Sequence, residues 1–465
     1  MDTVRTMKEW TSRQALYEGL SLMADPIHGY IPFTSPIGAH VEVTEKALID
    51  SRWVQRLRYI NQLQSARWVY PSAEHSRFVH SLGAMHLAGR LARHLYPSLA
   101  EVAVNCPSAH YVESLLRVTA LVHDIGHGPF CHFFDHHFLD TFHLTHEKLG
   151  QAIVRQEMAG MIRAIRRSPG GLFAPGESLD PEQIAFLMHK DDTYETPPQY
   201  PRWLVMLKPL FWGLCTADNM DYVLRDAYMC GVAIGPVDSA RIIHYTFFTP
   251  DGLTLHRAGL PALAMFLNAR SYLYSNVYYH RTTRALDMHL RDIFRETLSV
   301  IFPYNPVERL DAYLGLTDWS LLRSVQEWSG TLKNQHLLQE WDRFLLRDIQ
   351  WKMAYEVTLR DRNPETINPV LLEERIRSGL PPALQTLPFR VDMASQDPRP
   401  LNPLTMGARQ MYVYDPSTDH VSREALSEYV DTLPAELVQC RLFALSHDHD
   451  ALLSRLAEEA LRCTA

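Results

Sequence analysis

The chain has 465 residues, of which 46% are hydrophobic and 21% are charged, so it is long enough to bury a substantial core. Its formal net charge of -8 gives no overall attraction to nucleic acid, and a polyanionic ligand would need a local cluster of basic residues. No stretch approaches roughly eighteen uninterrupted apolar residues, which predicts a cytoplasmic protein with no membrane partner. The six cysteines lack CxxC spacing, which argues against a zinc ribbon or a disulfide framework.

Apolar residues at helical spacing dominate the chain from Glu45 to about residue 368. Residues 244–256 are an exception, because two short β-prone runs flank a Pro-Asp-Gly turn and predict a hairpin between helices. Beyond about Pro381 the pattern changes to short strands followed by a closing helix. The sequence therefore predicts a mainly α protein, with a helical core over residues 1–375 and a small α+β lobe over residues 376–465.

Residues 121–138 read LVHDIGHGPFCHFFDHHF and contain five histidines. His123 and Asp124 end an apolar helix directly before Gly126 and Gly128, so two potential metal ligands lie where the backbone can turn sharply. The His-Asp pair alone is weak evidence, because it also occurs twice within residues 447–450.

Two flanking helices supply further polar side chains. Arg77 and His80 lie three residues apart on a strongly helical upstream segment and share a face. Downstream, Asp218, Tyr222 and Asp226 repeat every four residues and form a polar stripe on a helix that is otherwise expected to be buried. Polar groups on a buried stripe require partners.

Two imidazoles and two carboxylates form the candidate metal site. Each histidine taken singly is more often a core residue than a ligand, but the combination favours a metal centre. Such a set suits Mn, Mg, Fe, Ni or Zn and leaves positions open for chemistry. The candidate ligands are His80, His123, Asp124 and Asp218.

Six segments together resemble one known family. They are DPIHGYI (25–31), QRLRYINQL (55–63), HSRFVHSLG (75–83), HDIGHGPFCH (123–132), THE (145–147) and DNMDYVLRD (218–226). In this order they resemble the HD-domain deoxynucleoside triphosphate triphosphohydrolases, which include bacterial dGTPase-type enzymes and the vertebrate dNTPase with a sterile-alpha-motif domain. The resemblance runs from about residue 22 to 295. It implies an HD-domain helical core that hydrolyses dNTPs to deoxynucleoside and inorganic triphosphate, with a divalent metal on the four residues above.

The resemblance also implies catalytic roles for residues near the HD segment. His146, beside Glu147, matches the catalytic histidine, and His127 and His132 match residues that reach the phosphates. An imidazole titrates near neutrality and can bind a phosphate oxygen or protonate a leaving group. Asp135, three residues after His132, is positioned to orient that ring. His136 and His137 match no functional position and are expected on a helix surface or in the core.

A further set of residues matches positions that hold the substrate. Gln62, Leu63, Tyr222 and Asp226 match sugar contacts, Arg270 and Arg77 match phosphate contacts, and Tyr278 is expected under the deoxyribose, with Tyr274 on the same helical stripe. The position after the metal-binding aspartate is a phosphate-contacting lysine in the vertebrate enzyme, and Asn219 stands there in this chain. Asn219 retains a hydrogen-bond donor without the charge.

Two other functions fit a bare HD site. One is a nucleotide phosphatase or cyclic-dinucleotide phosphodiesterase, which the chain length, the sugar-contacting segments and the absence of a GYP motif disfavour. The other is a nucleotide-sensing regulator with weak catalysis, which a complete ligand set disfavours. The resemblance further implies a homo-oligomer (dimer, tetramer or hexamer) and a nucleotide activator near Asp50, Gln55 and Arg58. Nucleic acid is an unsupported partner.

Overall fold

Helices form most of the computed structural model, which describes residues 18–38, 42–190, 200–328, 335–360, 368–396, 411–422, 426 and 437–462. This confirms the predicted mainly α class. The helices are α1 Glu45–Ile49, α2 Arg52–Arg56, α3 Arg77–Val102, α4 Ala109–Val122, α5 His132–His137, α6 His146–Ile153, α7 Ala159–Ala164, α8 Pro181–Met188, α9 Arg202–Leu207, α10 Ala217–Cys230, α11 Ser239–Tyr245, α12 Leu260–Leu273, α13 Arg281–Ile301, α14 Leu310–Tyr313, α15 Asp318–Glu327, α16 Gln335–Leu345, α17 Pro369–Ser378 and α18 Asp450–Arg462. The strands are β1 Leu20–Asp25, β2 Gly29–Thr34, β3 Arg167–Ser168, β4 Gly171–Leu172, β5 Thr246–Thr249, β6 Gly252–His256, β7 Lys352–Arg360, β8 Phe389–Gln396, β9 Tyr412–Asp415, β10 His420–Ser422 and β11 Leu437–Ala444. No described helix has both the length and the apolar character required to cross a bilayer.

Helices α3, α4 and α10 pack together and position the HD segment. Helix α4 begins where the Ser108 hydroxyl accepts a hydrogen bond from the Tyr111 amide, and it ends at Val122, directly before His123. Helix α10 crosses α3 at Gly83, where an added Cβ would lie 1.8 Å from a carboxylate oxygen of Asp221. The close approach of these two helices therefore depends on a residue without a side chain.

The predicted hairpin is present and is part of a larger sheet. Strands β5 and β6 pair antiparallel, as the sequence predicted, and β9 and β10 extend the sheet in the order β10-β9-β6-β5. Strand β9 runs parallel to β6, so residues from the C-terminal region add to a sheet of the helical core.

A second sheet has the order β7-β11-β8 and is antiparallel throughout. Together with α17 and α18 it encloses a separate hydrophobic cluster that includes Leu372, Leu442 and Leu453. Strand β7 precedes the predicted boundary at residue 376, and β9 and β10 leave the lobe for the core sheet. The division at 375/376 stays a prediction, and the lobe sheet draws one strand from before it.

The lobe contacts the helical core along α13. Arg284 on α13 donates two hydrogen bonds to Asp392 on β8, at 2.6 and 3.0 Å. Arg390, on the same strand, forms an ion pair with Asp292 at 2.9 Å. These contacts place β8 beside the cavity described below.

Candidate metal centre and adjoining cavity

The HD segment turns sharply after α4. An added Cβ at Gly126 would lie 2.0 Å from the carbonyl oxygen of His146, so the turn can approach α6 only with glycine there. Phe130 and Cys131 have φ of 61° and 53°, a conformation that costs energy for residues with a side chain. The carboxylate of Asp318 accepts a hydrogen bond of 2.6 Å from the Phe130 amide. A buried acid far along the chain thus stabilises the strained turn.

The side chains of Arg56 and Tyr313 hold the HD turn at two further points. Buried Arg56 donates to the carbonyl oxygens of His127 at 2.7 Å and Leu316 at 2.6 Å. The Tyr313 hydroxyl donates to the carbonyl oxygen of Gly126 at 2.8 Å. The backbone of the turn is therefore fixed by side chains distant in sequence, which leaves its own side chains available for other contacts.

Three of the predicted ligands converge directly. Candidate donor atoms of His80, His123 and Asp218 all lie within 4.8 Å of one another. Asp218 Oδ1 is 3.2 Å from His80 Nε2 and 3.7 Å from His123 Nε2. Both Nε2 atoms are buried, and neither makes a well-oriented hydrogen bond to a residue that the structure describes. Buried donor atoms without partners around a carboxylate fit a divalent metal ion.

The far nitrogens of both rings are oriented by hydrogen bonds. His80 Nδ1 donates to Asp221 at 2.8 Å, and His123 Nδ1 donates to the carbonyl oxygen of Ala120 at 2.7 Å. With Nδ1 held in this way, Nε2 of each ring faces the cluster and offers a lone pair to a metal that replaces its proton, as in metal-binding histidines. Asp221 also accepts hydrogen bonds from His28 and Arg225, which gives the first sequence segment, DPIHGYI, a role behind His80.

The carboxylate of Asp124 borders the same cluster. Its oxygens lie 3.3 Å from His123 Nε2 and 3.6 Å from His80 Nε2, and Oδ2 also accepts a hydrogen bond from Arg77. Burial opposes ionisation, but Arg77 and His123 hold the pKa of Asp124 well below its usual range. Although burial disfavours the charged ring, Asp218 and Asp221 raise the pKa of His80 to about 10. The centre therefore attracts a cation, which is a proton or, in its place, a metal ion.

A second group lies beside the first. It consists of His127, His132, Asp135 and His146, whose candidate donor atoms also lie within 4.8 Å of one another. His146 Nδ1 donates to Asp135 Oδ2 at 2.6 Å, and the ring of His127 stacks on that of His146 with centroids 3.8 Å apart. Asp135 is farther from His132, at 3.4 Å, so it orients His146 more directly than the ring predicted from sequence.

The environment gives these histidines different protonation. Burial disfavours the charged form of His146, but Asp135 and Glu147 outweigh burial and raise its pKa. Burial and the nearby Arg77 hold the pKa of His127 well below its usual range. A ring that holds its proton more tightly than usual thus lies in contact with one that holds it less tightly, a pairing suited to proton donation by His146.

A cavity of about 580 Å³ is lined by His132 of the second group and by Arg77, which donates to Asp124 beside the first group. This volume is within the range of small-molecule sites. Its walls include the predicted substrate residues Gln62, Leu63, Arg77, His132, Tyr222, Asp226, Tyr274 and Tyr278. Asp226 accepts hydrogen bonds from the Tyr278 hydroxyl at 2.6 Å and from His75 at 2.8 Å. The Asp226 carboxylate and the Tyr278 ring thus line the same cavity, an arrangement suited to contacts with a nucleoside sugar.

Comparison with protein families places this centre in a known domain. Residues 77–185 match the HD domain, and residues 237–341 match the HD associated region. The chain contains an HD domain. The associated region includes Tyr313 and Asp318, which hydrogen-bond the HD turn, and Leu316, whose carbonyl accepts from Arg56.

Curated relatives of the HD-domain chain are distant. The chain is 29% identical to the uncharacterized protein YwfO of Bacillus subtilis, over 64% of this chain and 66% of that protein. It is 25% identical to the deoxynucleoside triphosphate triphosphohydrolase SAMHD1 of Gallus gallus, over 74% of this chain and 58% of that protein. The chain thus spans less than two thirds of the length of either relative.

A solved structure shares the fold of the HD-domain chain. It is the phosphohydrolase BT4208 from Bacteroides thetaiotaomicron, with a TM-score of 0.64 and 21% identity, covering 92% of this chain and all of that one. At 21% identity this likeness shows a shared fold only, so any activity must be argued from the chemistry of the site.

One predicted contact of the HD site is wrong. Asn219 does not face the cavity, because it lies in the first turn of α10 and caps that helix. Its Oδ1 accepts from the Thr216 amide at 2.7 Å, and its Nδ2 donates to the Leu214 carbonyl at 3.2 Å. The Thr216 hydroxyl accepts from the Asn219 amide, which completes a capping box. The Thr-x-x-Asn spacing carried this signal in the sequence.

Arg270, which was predicted to contact a phosphate, lies beside the ring of Tyr274. Its guanidinium lies 5.6 Å from the Tyr274 ring centroid, and it is not among the residues that line the cavity. Its Nε and Nη1 are buried without a hydrogen-bond partner among the described residues. The phosphate contact proposed for Arg270 stays a prediction.

Several cavity residues of the HD-domain chain were missed by the sequence interpretation. His136 and His137 were expected on a helix surface or in the core, yet both line the cavity. Asp287, Arg284 and Arg291 line it from α13, and Asp392 lines it from the lobe. Lys190, after α8, lies 3.7 Å from Asp218 Oδ2. No local pattern marks the residues on α13, in the lobe and after α8, because they come from parts of the chain distant from the HD segment.

Proposed function

We propose that this chain is a metal-dependent hydrolase that converts a dNTP into a deoxynucleoside and inorganic triphosphate. One observation carries the proposal: Arg77, which donates to Asp124 beside the His80, His123 and Asp218 cluster, and His132, which belongs to the group of Asp135 and His146, line the same cavity as Tyr278 and Asp226. Such a reaction requires metal ligands, a proton donor and an aromatic side chain that packs against the sugar.

His80, His123, Asp124 and Asp218 would hold the divalent metal, which is Mn, Mg, Fe, Ni or Zn on the chemistry of the donors. When bound, the metal would polarise the phosphate and increase the acidity of water. Arg77, which is buried and borders both the cluster and the cavity, would bind phosphate oxygens together with His127 and His132.

His146 would supply the proton for the leaving group. Water attacks the α-phosphorus and releases one proton to solvent, the bond from phosphorus to the 5′-oxygen breaks, and the imidazolium of His146 gives its proton to that oxygen. A proton from solvent then restores the imidazolium. Asp135 keeps the ring oriented and protonated before the transfer, and Glu147, 3.2 Å from His146 Nε2, adds to the same effect. The oxygen of water ends on triphosphate.

The sugar would bind against the aromatic wall of the cavity. Tyr278 and Leu63 would pack against the 2′ carbon, while Gln62, Tyr222 and Asp226 would contact hydroxyl oxygens. Selection of deoxyribose is then steric, because no described polar group is assigned to a 2′-hydroxyl.

A direct test incubates the full chain with each common dNTP and matched NTP, with Mn or Mg, in water enriched in heavy oxygen. Intact triphosphate carrying the heavy oxygen, together with deoxynucleoside, supports the proposal. Orthophosphate and a diphosphate as first products would instead indicate a nucleotide phosphatase. Binding of dNTP without any product would favour the nucleotide-sensing alternative.

Assembly and activation are part of the same proposal. We propose a homo-oligomer that nucleotides activate near Asp50, Gln55 and Arg58. The Arg58 side chain donates to Gln55 at 2.7 Å and is exposed, so its charge is open to a ligand. Light scattering with and without dNTP, in parallel with the rate at rising dNTP concentration, tests both points.

A further inference from the structure

Lys190 places a positively charged side chain beside the His80, His123 and Asp218 cluster, and the proposed reaction gives it no role. It follows the end of α8, a helix that packs against α4 and α6, and its Nζ lies 3.7 Å from Asp218 Oδ2. Its side chain is 28% exposed. The ammonium therefore lies beside the cluster on a side chain that is only partly covered by protein.

The ammonium of Lys190 makes one ion pair with the residues that the structure describes. Its separation of 3.7 Å from Asp218 exceeds the length of a good hydrogen bond. An ammonium has three donors. By contrast, Arg77 donates to Asp124 and to the Cys131 sulfur. Within the described ranges, Lys190 is therefore the less committed of these two cations.

An incoming triphosphate needs such a cation. The two groups and their neighbours contain the carboxylates of Asp124, Asp135, Glu147 and Asp218, which repel an anionic ligand. Asn219, where the sequence predicted a phosphate contact, is used in the α10 cap. A positive charge in addition to Arg77 and the metal would therefore come from another element.

We propose that Lys190 binds a phosphate group of the substrate and is the principal lysine of the phosphate site. This inference rests on the proposed function, because it concerns the triphosphate of the same ligand. The simpler alternative is that Lys190 only neutralises Asp218 and keeps it in place for the metal.

The test measures binding of inorganic tripolyphosphate to the full chain by calorimetry, with Mg²⁺ in excess over tripolyphosphate in every sample. Binding of a deoxynucleoside without phosphate and the metal content are measured in parallel. The variants are Lys190→Gln and the charge-retaining Lys190→Arg. Lys148→Gln is the matched control, because Lys148 is exposed on α6, two residues after His146, and donates to the His143 carbonyl.

We expect Lys190→Gln to weaken tripolyphosphate binding about tenfold, since it removes one charge-assisted contact. The loss should shrink as salt rises, deoxynucleoside binding and metal content should be unchanged, and Lys190→Arg should stay within about threefold of the wild type. Lys148→Gln should resemble the wild type.

Two outcomes would overturn the inference. One is unchanged tripolyphosphate affinity in Lys190→Gln, or no binding by the wild type. The other is a loss of affinity that follows a loss of metal, which would assign Lys190 to the support of Asp218. If dNTPs are hydrolysed and Lys190→Gln binds tripolyphosphate normally, only this inference fails. If no dNTP is hydrolysed but tripolyphosphate binding depends on Lys190, only the proposed reaction fails.

Discussion

His146 Nδ1 and Asp135 Oδ2 are 2.6 Å apart, and both side chains are buried beside the ring of His127. The carboxylate stabilises the imidazolium of His146, and its own pKa is held well below the usual range, chiefly by His146 against the effect of burial. The pair therefore behaves as one unit in which the proton lies on the imidazole in preference to the carboxylate.

Asp135→Asn should move the alkaline limb of the kcat profile to lower pH. Removing the carboxylate removes the main influence that raises the pKa of His146, so the proton is lost at lower pH and the acid is absent under mildly alkaline conditions. We expect kcat at about pH 8 to fall at least about tenfold. Steady-state rates across pH measure this, with Asp140→Asn, an exposed aspartate nearby, as the control. Superimposable profiles for Asp135→Asn and the wild type would show that His146 is not the acid.

His123→Ala should remove the metal while the helices persist. His123 supplies a buried Nε2 that has no hydrogen-bond partner among the described residues, so its loss takes one ligand from the cluster and breaks no described hydrogen bond at that atom. We expect about one divalent metal per wild-type chain and close to none in the variant, by elemental analysis. His336→Ala, at an exposed histidine on α16, should keep the metal. Full occupancy in His123→Ala would refute the ligand assignment.

Tyr278→Ala should narrow the preference for dNTP over NTP. The ring lines the cavity and is fixed by its hydroxyl, which donates to Asp226, so truncation opens space where a 2′-hydroxyl would lie. We expect the ratio of kcat/KM values to fall by about tenfold. Tyr278→Phe keeps the ring and should keep most of the preference, and Tyr272→Ala, near the end of α12, should keep all of it. If Tyr278→Phe and Tyr278→Ala lose the preference equally, the hydroxyl decides selection and the steric account is wrong.

Asn219→Lys should destabilise the protein without improving its KM. The amide is buried and satisfies both the Thr216 amide and the Leu214 carbonyl, and lysine cannot reproduce that cap. We expect a loss of about 1 to 2 kcal/mol, visible as a lower thermal midpoint. Thr216→Ala removes the other half of the capping box and should cost a similar amount. A lower KM at an unchanged midpoint would mean that position 219 reaches the phosphates after all.

Asp287→Asn should stabilise the protein above about pH 6. Burial, opposed by Arg284 and Ser65, raises the pKa of Asp287 from 3.8 to about 6. The folded state therefore binds more protons than the unfolded state between these values, and the contribution of Asp287 to stability is lost as pH rises through about 6. A shift of about two units corresponds to about 3 kcal/mol.

The neutral amide of Asp287→Asn should recover most of that energy near pH 8 and little near pH 4.5, by urea unfolding at each pH. Asp342→Asn, at an exposed aspartate on α16, is the control and should show no such trend. A variant equally or less stable than the wild type at both pH values would contradict the assigned pKa.

Local periodicity and motif order were enough for much of the architecture. The helical spacing predicted α3, α4 and α10, and the turn residues predicted the β5–β6 hairpin, because these patterns depend on near neighbours. The same spacing assigned His80 and Asp218 to faces that do converge with His123 in three dimensions.

Tertiary structure decided what each side chain contacts. Asn219 had a local alternative in the α10 cap, and a short polar side chain satisfies the nearer backbone groups first. Asp135 contacts His146 more closely than His132, because α5 and α6 meet across the HD turn. Lys190, Asp287 and Asp392 reach the site from α8, α13 and β8. A sequence pattern fixes which face of an element a residue occupies, whereas the contacts of that face depend on which distant elements pack against it.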